Sequence, residues 1–345
     1  MRISKTYLMI LALSPLSVSA ADSNIISSCS DLLAIENNST KTYILESDID
    51  CYGYELSEPI MFRGHLLGNS HTISGLSIKS NNRYLGLFSH IPNGYIADLT
   101  LNDFKLESTY SSYTYAAGFL AGYLENGNID NVVIQNSITV NQPEGLYGIG
   151  SLAGRVSGTR LYNVSSINNQ IDTTDQSKKV GGLVGWMEDG AWSNRASVLN
   201  NNIVVKNEKY GSGDIGGVYG RLDDSEAIFT SITATTINDS DNGKSGYNGL
   251  VVGRMFKSYL SNAEIINTSG NFRPHATRNY NGIAAGFIAI DEESAKNVLE
   301  NISTNDAAVS LPWFTYDSKK PEPLTTNLYF DDTEQSTLPP DICRL

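Results

Sequence analysis

Three groups of carboxylates could do chemistry: Asp48/Asp50, Asp223/Asp224 and Asp291/Glu292/Glu293. Glycoside cleavage needs two carboxyls facing one another across a cleft, one acting as acid and one as base or nucleophile. Neighbouring acids in loops are ordinarily solvated turns, so catalytic residues are not assigned. The histidines, His65, His71, His90 and His275, are scattered. No nucleophile elbow, P-loop, HExxH or zinc spacing occurs. Asn238-Asp239-Ser240-Asp241-Asn242-Gly243 is rich in oxygen ligands, as calcium sites are. It lacks the EF-hand order and the distant Glu, and a polar turn is the plainer reading. No other cofactor is expected. Tyr110, Tyr113 and Tyr115, in a Ser/Thr-rich stretch, are the candidate binding residues. Their rings could stack on sugars or anchor a protein contact, against the simpler alternative of a half-buried strand.

The elements that would position these residues are constrained by the totals. The chain has 345 residues, 40% hydrophobic and 18% charged, with 24 Lys+Arg against 37 Asp+Glu and a net charge of -13. Such an acidic balance argues against nucleic acid as a partner. The 19 Tyr and 10 Phe, with low charge density, argue against disorder. Beyond the N-terminus no run of about 18 apolar residues occurs, so no membrane-spanning helix is expected. Nothing in the totals bears on oligomeric state.

The informative feature is a repeat. Gly-x-x-x-Gly recurs at Gly118/Gly122, Gly150/Gly154, Gly181/Gly185, Gly216/Gly220, Gly249/Gly253 and Gly282/Gly286, at spacings of 32, 31, 35, 33 and 33. An upstream copy begins at Gly86, with His90 read in place of its second glycine. In phase with these runs an apolar-x-Asn/Asp segment, giving Asp98, Asn131, Asn163, Asn194, Asn262 and Asn297, with Phe229 as the exception. The flanking residues are β-branched and aromatic, which suits short strands and not a helix-dimer face. Short strands at one period predict a β-solenoid, each copy winding about one coil. Stacked Asn side chains would form an amide ladder. Gly at one coil position would permit a tight bend or a positive φ. Differences in spacing predict one variable loop per coil.

Gly181-Gly182-Leu183-Val184-Gly185 followed by Trp192-Ser193-Asn194 resembles the GLUG-repeat family. So does Gly86-Leu87-Phe88 followed by Ile96-Ala97-Asp98-Leu99. Upstream, Phe62-Arg63-Gly64-His65-Leu66-Leu67-Gly68-Asn69 and His71-Thr72-Ile73-Ser74-Gly75-Leu76 match what commonly precedes such repeats. The resemblance implies an all-β, right-handed parallel β-helix of about seven coils, preceded by N-terminal coils, in an adhesin-like bacterial surface protein. It carries no catalytic site.

The ends read differently. Arg2 and Lys5, an apolar run from Tyr7 to Leu16, and Val18-Ser19-Ala20 read as a signal peptide over 1–20, placing the chain in the periplasm, at the cell surface or outside. Residues 21–42 read as an N-terminal cap with a short helix begun by Ser30, 43–310 as the β-helix, and 311–345 as a C-terminal cap or tail. Export permits a disulfide, and Cys29 with Cys51 is the nearer pair, leaving Cys343. The function expected is binding or adhesion, with a polysaccharide or cell-surface ligand. The alternatives are a polysaccharide-degrading enzyme on the same scaffold, or a structural component of a surface assembly.

Overall fold

A computed structural model describes residues 23–109, 115–140, 147–173, 178–206, 213–239, 246–272, 281–289, 297–305, 314, 324–330 and 333–334. The signal-peptide reading, Cys343 and most of 311–345 lie outside the described residues.

The coil that begins at Tyr95 illustrates the repeat. Tyr95–Asn102 lies in a first sheet, Lys105–Ser108 in a second, Ala116–Ala117 in a third and Ala121–Glu125 in a fourth. The chain then returns to the first sheet as Asn128–Gln135, parallel to Tyr95–Asn102, with Tyr95 opposite Asn128 and Leu101 opposite Ile134. Repetition of this path stacks seven strands in the third sheet and eight each in the second and fourth. The first sheet reaches 15, because it includes both ends of the described chain and three coils whose strand is interrupted. The protein is an all-β parallel solenoid with almost no helix.

Period-two alternation builds the core. Leu66, Ile96, Ile129 and Leu161 stack inward on the first sheet, and Leu124, Val156, Met187, Leu222, Met255 and Ile288 on the fourth, all buried. Parallel strands a few ångströms apart place like beside like, so each column is a continuous apolar ridge.

Bends recur at three places per coil, where non-glycine residues take φ between 46° and 59°. One is the Asp98, Asn131, Asn163, Asn262 position and another is Asp103, Asn136, Asn168, Asn200. Asn and Asp tolerate this left-handed region best. Asn131 Nδ2 donates to Asp98 Oδ1 (2.7 Å), and Asn163 Nδ2 to Asn131 Oδ1 (2.9 Å). A second ladder, unread in the sequence, runs from Asn200 Nδ2 to Asn168 Oδ1 (2.8 Å), Asn168 to Asn136 (3.2 Å) and Asn136 to Asn102 (2.8 Å). A third is internal: Ser137 N–H donates to Asn169 Oδ1 (2.8 Å) and Asn169 N–H to Asn201 Oδ1 (2.9 Å).

Several positions differ from the sequence reading. Asn194 lies in the strand opposite Tyr162, and Arg195 takes the bend at φ 59°. Asn297 is buried and accepts from Ser258 N–H (3.1 Å), whereas Asn301 takes the bend and donates to Asn262 Oδ1 (3.1 Å). Both errors are slips of register, which a motif with several polar residues per coil does not prevent. His90 pairs with Tyr123, so Ser89, not His90, stands where the second glycine recurs.

The repeat glycines are not the bends that the sequence suggests. None of Gly86, Gly118, Gly150, Gly181, Gly216, Gly249 and Gly282 has a positive φ, and neither does Gly122, Gly154, Gly185, Gly220, Gly253 or Gly286. The second glycine of each pair lies inside a strand of the fourth sheet, not at a turn. Close approach is what demands glycine there. A Cβ on Gly122 would meet Leu85 N at 2.6 Å, one on Gly154 would meet Ala117 N at 2.3 Å, and one on Gly185 would meet Ile149 N at 2.5 Å. The same holds in the later coils: Gly220 faces Val180 N at 2.6 Å, Gly253 faces Ile215 N at 2.4 Å, and Gly286 faces Asn248 N at 2.3 Å. Each of those nitrogens belongs to a strand of the third sheet, so the third and fourth sheets touch backbone to backbone.

At the N-terminal end Ser23–Ile26 pairs in parallel with Thr42–Leu45, so this segment includes a sheet strand as well as a helix. That helix is Cys29–Leu33, capped by Ser28, whose side chain accepts from Asp31 N–H (3.2 Å), and not by Ser30. A disulfide joins Cys29 to Cys51. At the other end Leu324–Phe330 adds in parallel to Val298–Thr304. Coil lengths differ in the connections from the second sheet to the third, as between Thr173 and Lys179 or between Asn271 and Asn281, and in the long connection from the fourth sheet to the first between Ala289 and Val298.

Candidate functional site

The residue after each second glycine points outward from the fourth sheet. In register these are His90, Tyr123, Arg155, Trp186, Arg221, Arg254 and Phe287, one per coil. They alternate with the inward column of Leu124, Val156 and Met187. The third sheet and the residues leading into it add Tyr84, Tyr115, Tyr147, Lys179, Asp214 and Tyr247 alongside. The rings touch: His90 stacks on Tyr123 with centroids 4.6 Å apart, and Tyr115 on Tyr147 at 4.9 Å. Tyr84 lies 5.7 Å from Tyr123, and Tyr247 lies 4.7 Å from Phe287. Cations sit over these rings. The Arg155 guanidinium is 4.7 Å from Tyr123 and 4.9 Å from Trp186, and Lys179 Nζ is 3.7 Å from Tyr147 and 4.2 Å from Trp186. Such contacts orient both partners at fixed spacing.

Two positions further along three of these strands, at Glu125, Glu188 and Asp223, acids serve the coil before. His90 Nε2 lies 3.0 Å from Glu125 Oε2. Arg155 Nε donates to Glu188, and Trp186 Nε1 donates to Asp223 Oδ2 (2.9 Å). Arg221 Nε pairs with Asp223 (2.7 Å), and Arg221 Nη1 lies 3.7 Å from Asp214. Burial dominates the titration here. Desolvation pushes Asp214 up to about 6, against the pull of Arg221, Arg254 and Lys179. Desolvation lowers Lys179 to about 8, with Asp214 opposing. Glu188 is raised and His90 lowered for the same first reason.

A cleft of about 890 Å³ lies where the fourth sheet turns into the first. Arg160, Trp192, Glu226 and Tyr259 line it from successive coils, with Asp224 and Lys257 at the bends.

Tyr115 belongs to the ring face; Tyr110 and Tyr113 lie outside the described residues. Asp223 sits on that face and Asp224 in the cleft. Asp48 accepts from Thr72 N–H (2.9 Å) and lies 3.2 Å from His71 Nδ1, and Asp50 accepts from Tyr52 N–H (2.9 Å), so both hold turns. The Thr72 bond, then His71, lowers Asp48. Asp291, Glu292, Glu293 and His275 lie outside the described residues. Asp239 is buried and accepts from Asn248 Nδ2 (3.2 Å), while 240–243 lie outside. Among the described residues no three His, Cys, Asp or Glu converge as metal ligands.

The geometry defines a parallel β-solenoid with a continuous ring-and-charge face. Such folds are known: the chain is similar to the crystal structure of a "putative immunoglobulin A1 protease" from Bacteroides ovatus, at 14% identity and a TM-score of 0.50, over 90% of this chain and 85% of that one. At that identity the likeness shows fold alone. No family model and no curated protein matches the chain.

Proposed function

We propose that this is an exported, adhesin-like binding protein of the GLUG-repeat kind, whose ligand is a polysaccharide or host-surface glycan lying along the fourth-sheet face. The observation that carries the reading is the column His90, Tyr123, Arg155, Trp186, Arg221, Arg254 and Phe287, which presents rings and charges at one strand spacing per coil. A polymer of sugars needs repeated flat apolar platforms with hydrogen-bonding groups between them. The Cys29–Cys51 bond suits an oxidising compartment, in keeping with the signal-like first residues. Among the described residues no helix is long and apolar enough to cross a membrane. A glycan array followed by calorimetry tests the reading. Binding that Trp186→Ala weakens supports it, and an array with no ligand overturns it.

A second reading, polysaccharide cleavage, is favoured by the cleft, where Asp224 and Glu226 stand beside Trp192 and Tyr259. Product release from polysaccharides that disappears in Asp224→Asn or Glu226→Gln would select it.

A further inference from the structure

We propose that the part of this face around Arg254 takes a carboxylate-bearing sugar, with the Arg254 guanidinium holding the carboxylate; this rests on the binding reading above. The argument comes from a break in the pattern of acids. His90, Arg155 and Trp186 each find a partner on the next coil, at Glu125, Glu188 and Asp223. For Arg254 the corresponding residue is Ala289, and the residue two along its own strand is Phe256. Arg254 Nε is buried and has no hydrogen-bond partner among the described residues. Nε itself is enclosed, but Arg254 as a whole is only part-buried, so an acceptor from outside would meet the outer part of the guanidinium.

The neighbours sharpen the need. Arg254 stands in register beside Arg221, two like charges one strand spacing apart. Like charges directly opposite repel. Arg221 already engages Asp223 and Asp214, and Asp214 attracts Arg254 as well, without a hydrogen bond to its Nε. An incoming anion would offset the charge of Arg254 without displacing those bonds. Rings define what kind of anion fits. The guanidinium lies 5.2 Å from the Tyr247 ring, which stacks on Phe287. A pyranose carrying a carboxylate offers an apolar ring face to Tyr247 and Phe287 and a planar acceptor to the guanidinium fork. Lys179, held against Tyr147 and Trp186, adds a cation further along the same face.

The test is calorimetry with oligosaccharides matched in length: oligogalacturonate against its methyl ester, and sialyllactose against lactose. The acidic member of at least one pair is expected to bind roughly ten-fold more tightly. Which pair does so separates a uronate polymer from a sialylated host glycan. Arg254→Gln should abolish the preference. Ala289→Glu, which supplies the missing acid from within, should abolish it too while leaving the melting temperature equal or higher. Equal binding of acidic and neutral members overturns the carboxylate inference and leaves the glycan reading standing. An unchanged preference in both variants also overturns it. Absence of any glycan binding removes both.

Discussion

The asparagine bends and the fourth-sheet face obey one period but use it in opposite ways. Along the second ladder the residue type recurs: Asn136, Asn168 and Asn200, at successive bends, hydrogen-bond in a line that ends on Asn102 of the preceding strand. On the face only the position recurs, and its occupants run from histidine through tyrosine, arginine and tryptophan to phenylalanine. A ladder of amides gains from sameness, because each Asn both donates to and accepts from its neighbour. A face of unlike groups gains nothing of that kind, and its members must be partnered individually. Repetition of type therefore marks what holds the coils together, and variation at a fixed position marks what the coils present.

The largest expected effect falls on the internal ladder. Asn169 donates to Ile134 O and Ser166 Oγ and accepts from Ser137 N–H, all buried. Asn169→Leu should cost about 4 kcal/mol, since two backbone groups lose their partners. Urea denaturation measures this, and ligand affinity should hold in whatever remains folded. On the face, Lys179 supplies a pH test. Its folded value of about 8 lies below the ordinary 10.5, so the unfolded chain binds more protons between them and stability rises with pH across that window. Lys179→Met should flatten that rise, a difference of roughly 3 kcal/mol at most. Trp186→Ala should instead reduce glycan affinity by about 2 kcal/mol, roughly 30-fold, with a smaller loss of stability. Smallest is Asn131→Ala, in an exposed ladder at φ 52°, at about 1 kcal/mol from lost hydrogen bonds and left-handed backbone. If Trp186→Ala melted the protein as Asn169→Leu does, the contrast between the two regions would collapse.

Much of the scaffold could be read from the residues. The strands and the first asparagine ladder were legible because each is restated coil after coil, so chance matches cancel; the bends themselves were assigned to glycines that do not turn the chain. What Gly220, Gly253, Gly286 and their counterparts do was not legible, because a bend and a close approach ask for the same residue and differ only in φ. Asn194 and Asn297 were misplaced because a polar residue stands one or several places from the true bend, and only pairing decides which one turns the chain. The ring-and-charge face was missed since its residues share no type. Its signal was nonetheless present, one residue beyond each second glycine at Tyr123, Arg155, Trp186, Arg221, Arg254 and Phe287. Tyr115 was singled out for its local cluster, yet its partners are Tyr84 and Tyr147, 31 and 32 residues away in sequence.

The bond between Cys29 and Cys51 also gives the molecule a direction. In a stack whose coils hold only their neighbours, coils are lost from an end and the loss travels inward. The covalent link stitches the first turns shut, its two cysteines 22 residues apart in sequence. Such a stack behaves like a zipper with one end sewn. Under load or heat it should open from the far end, past Leu324–Phe330 and Val298–Thr304, and close again by growing outward from the stitched turns.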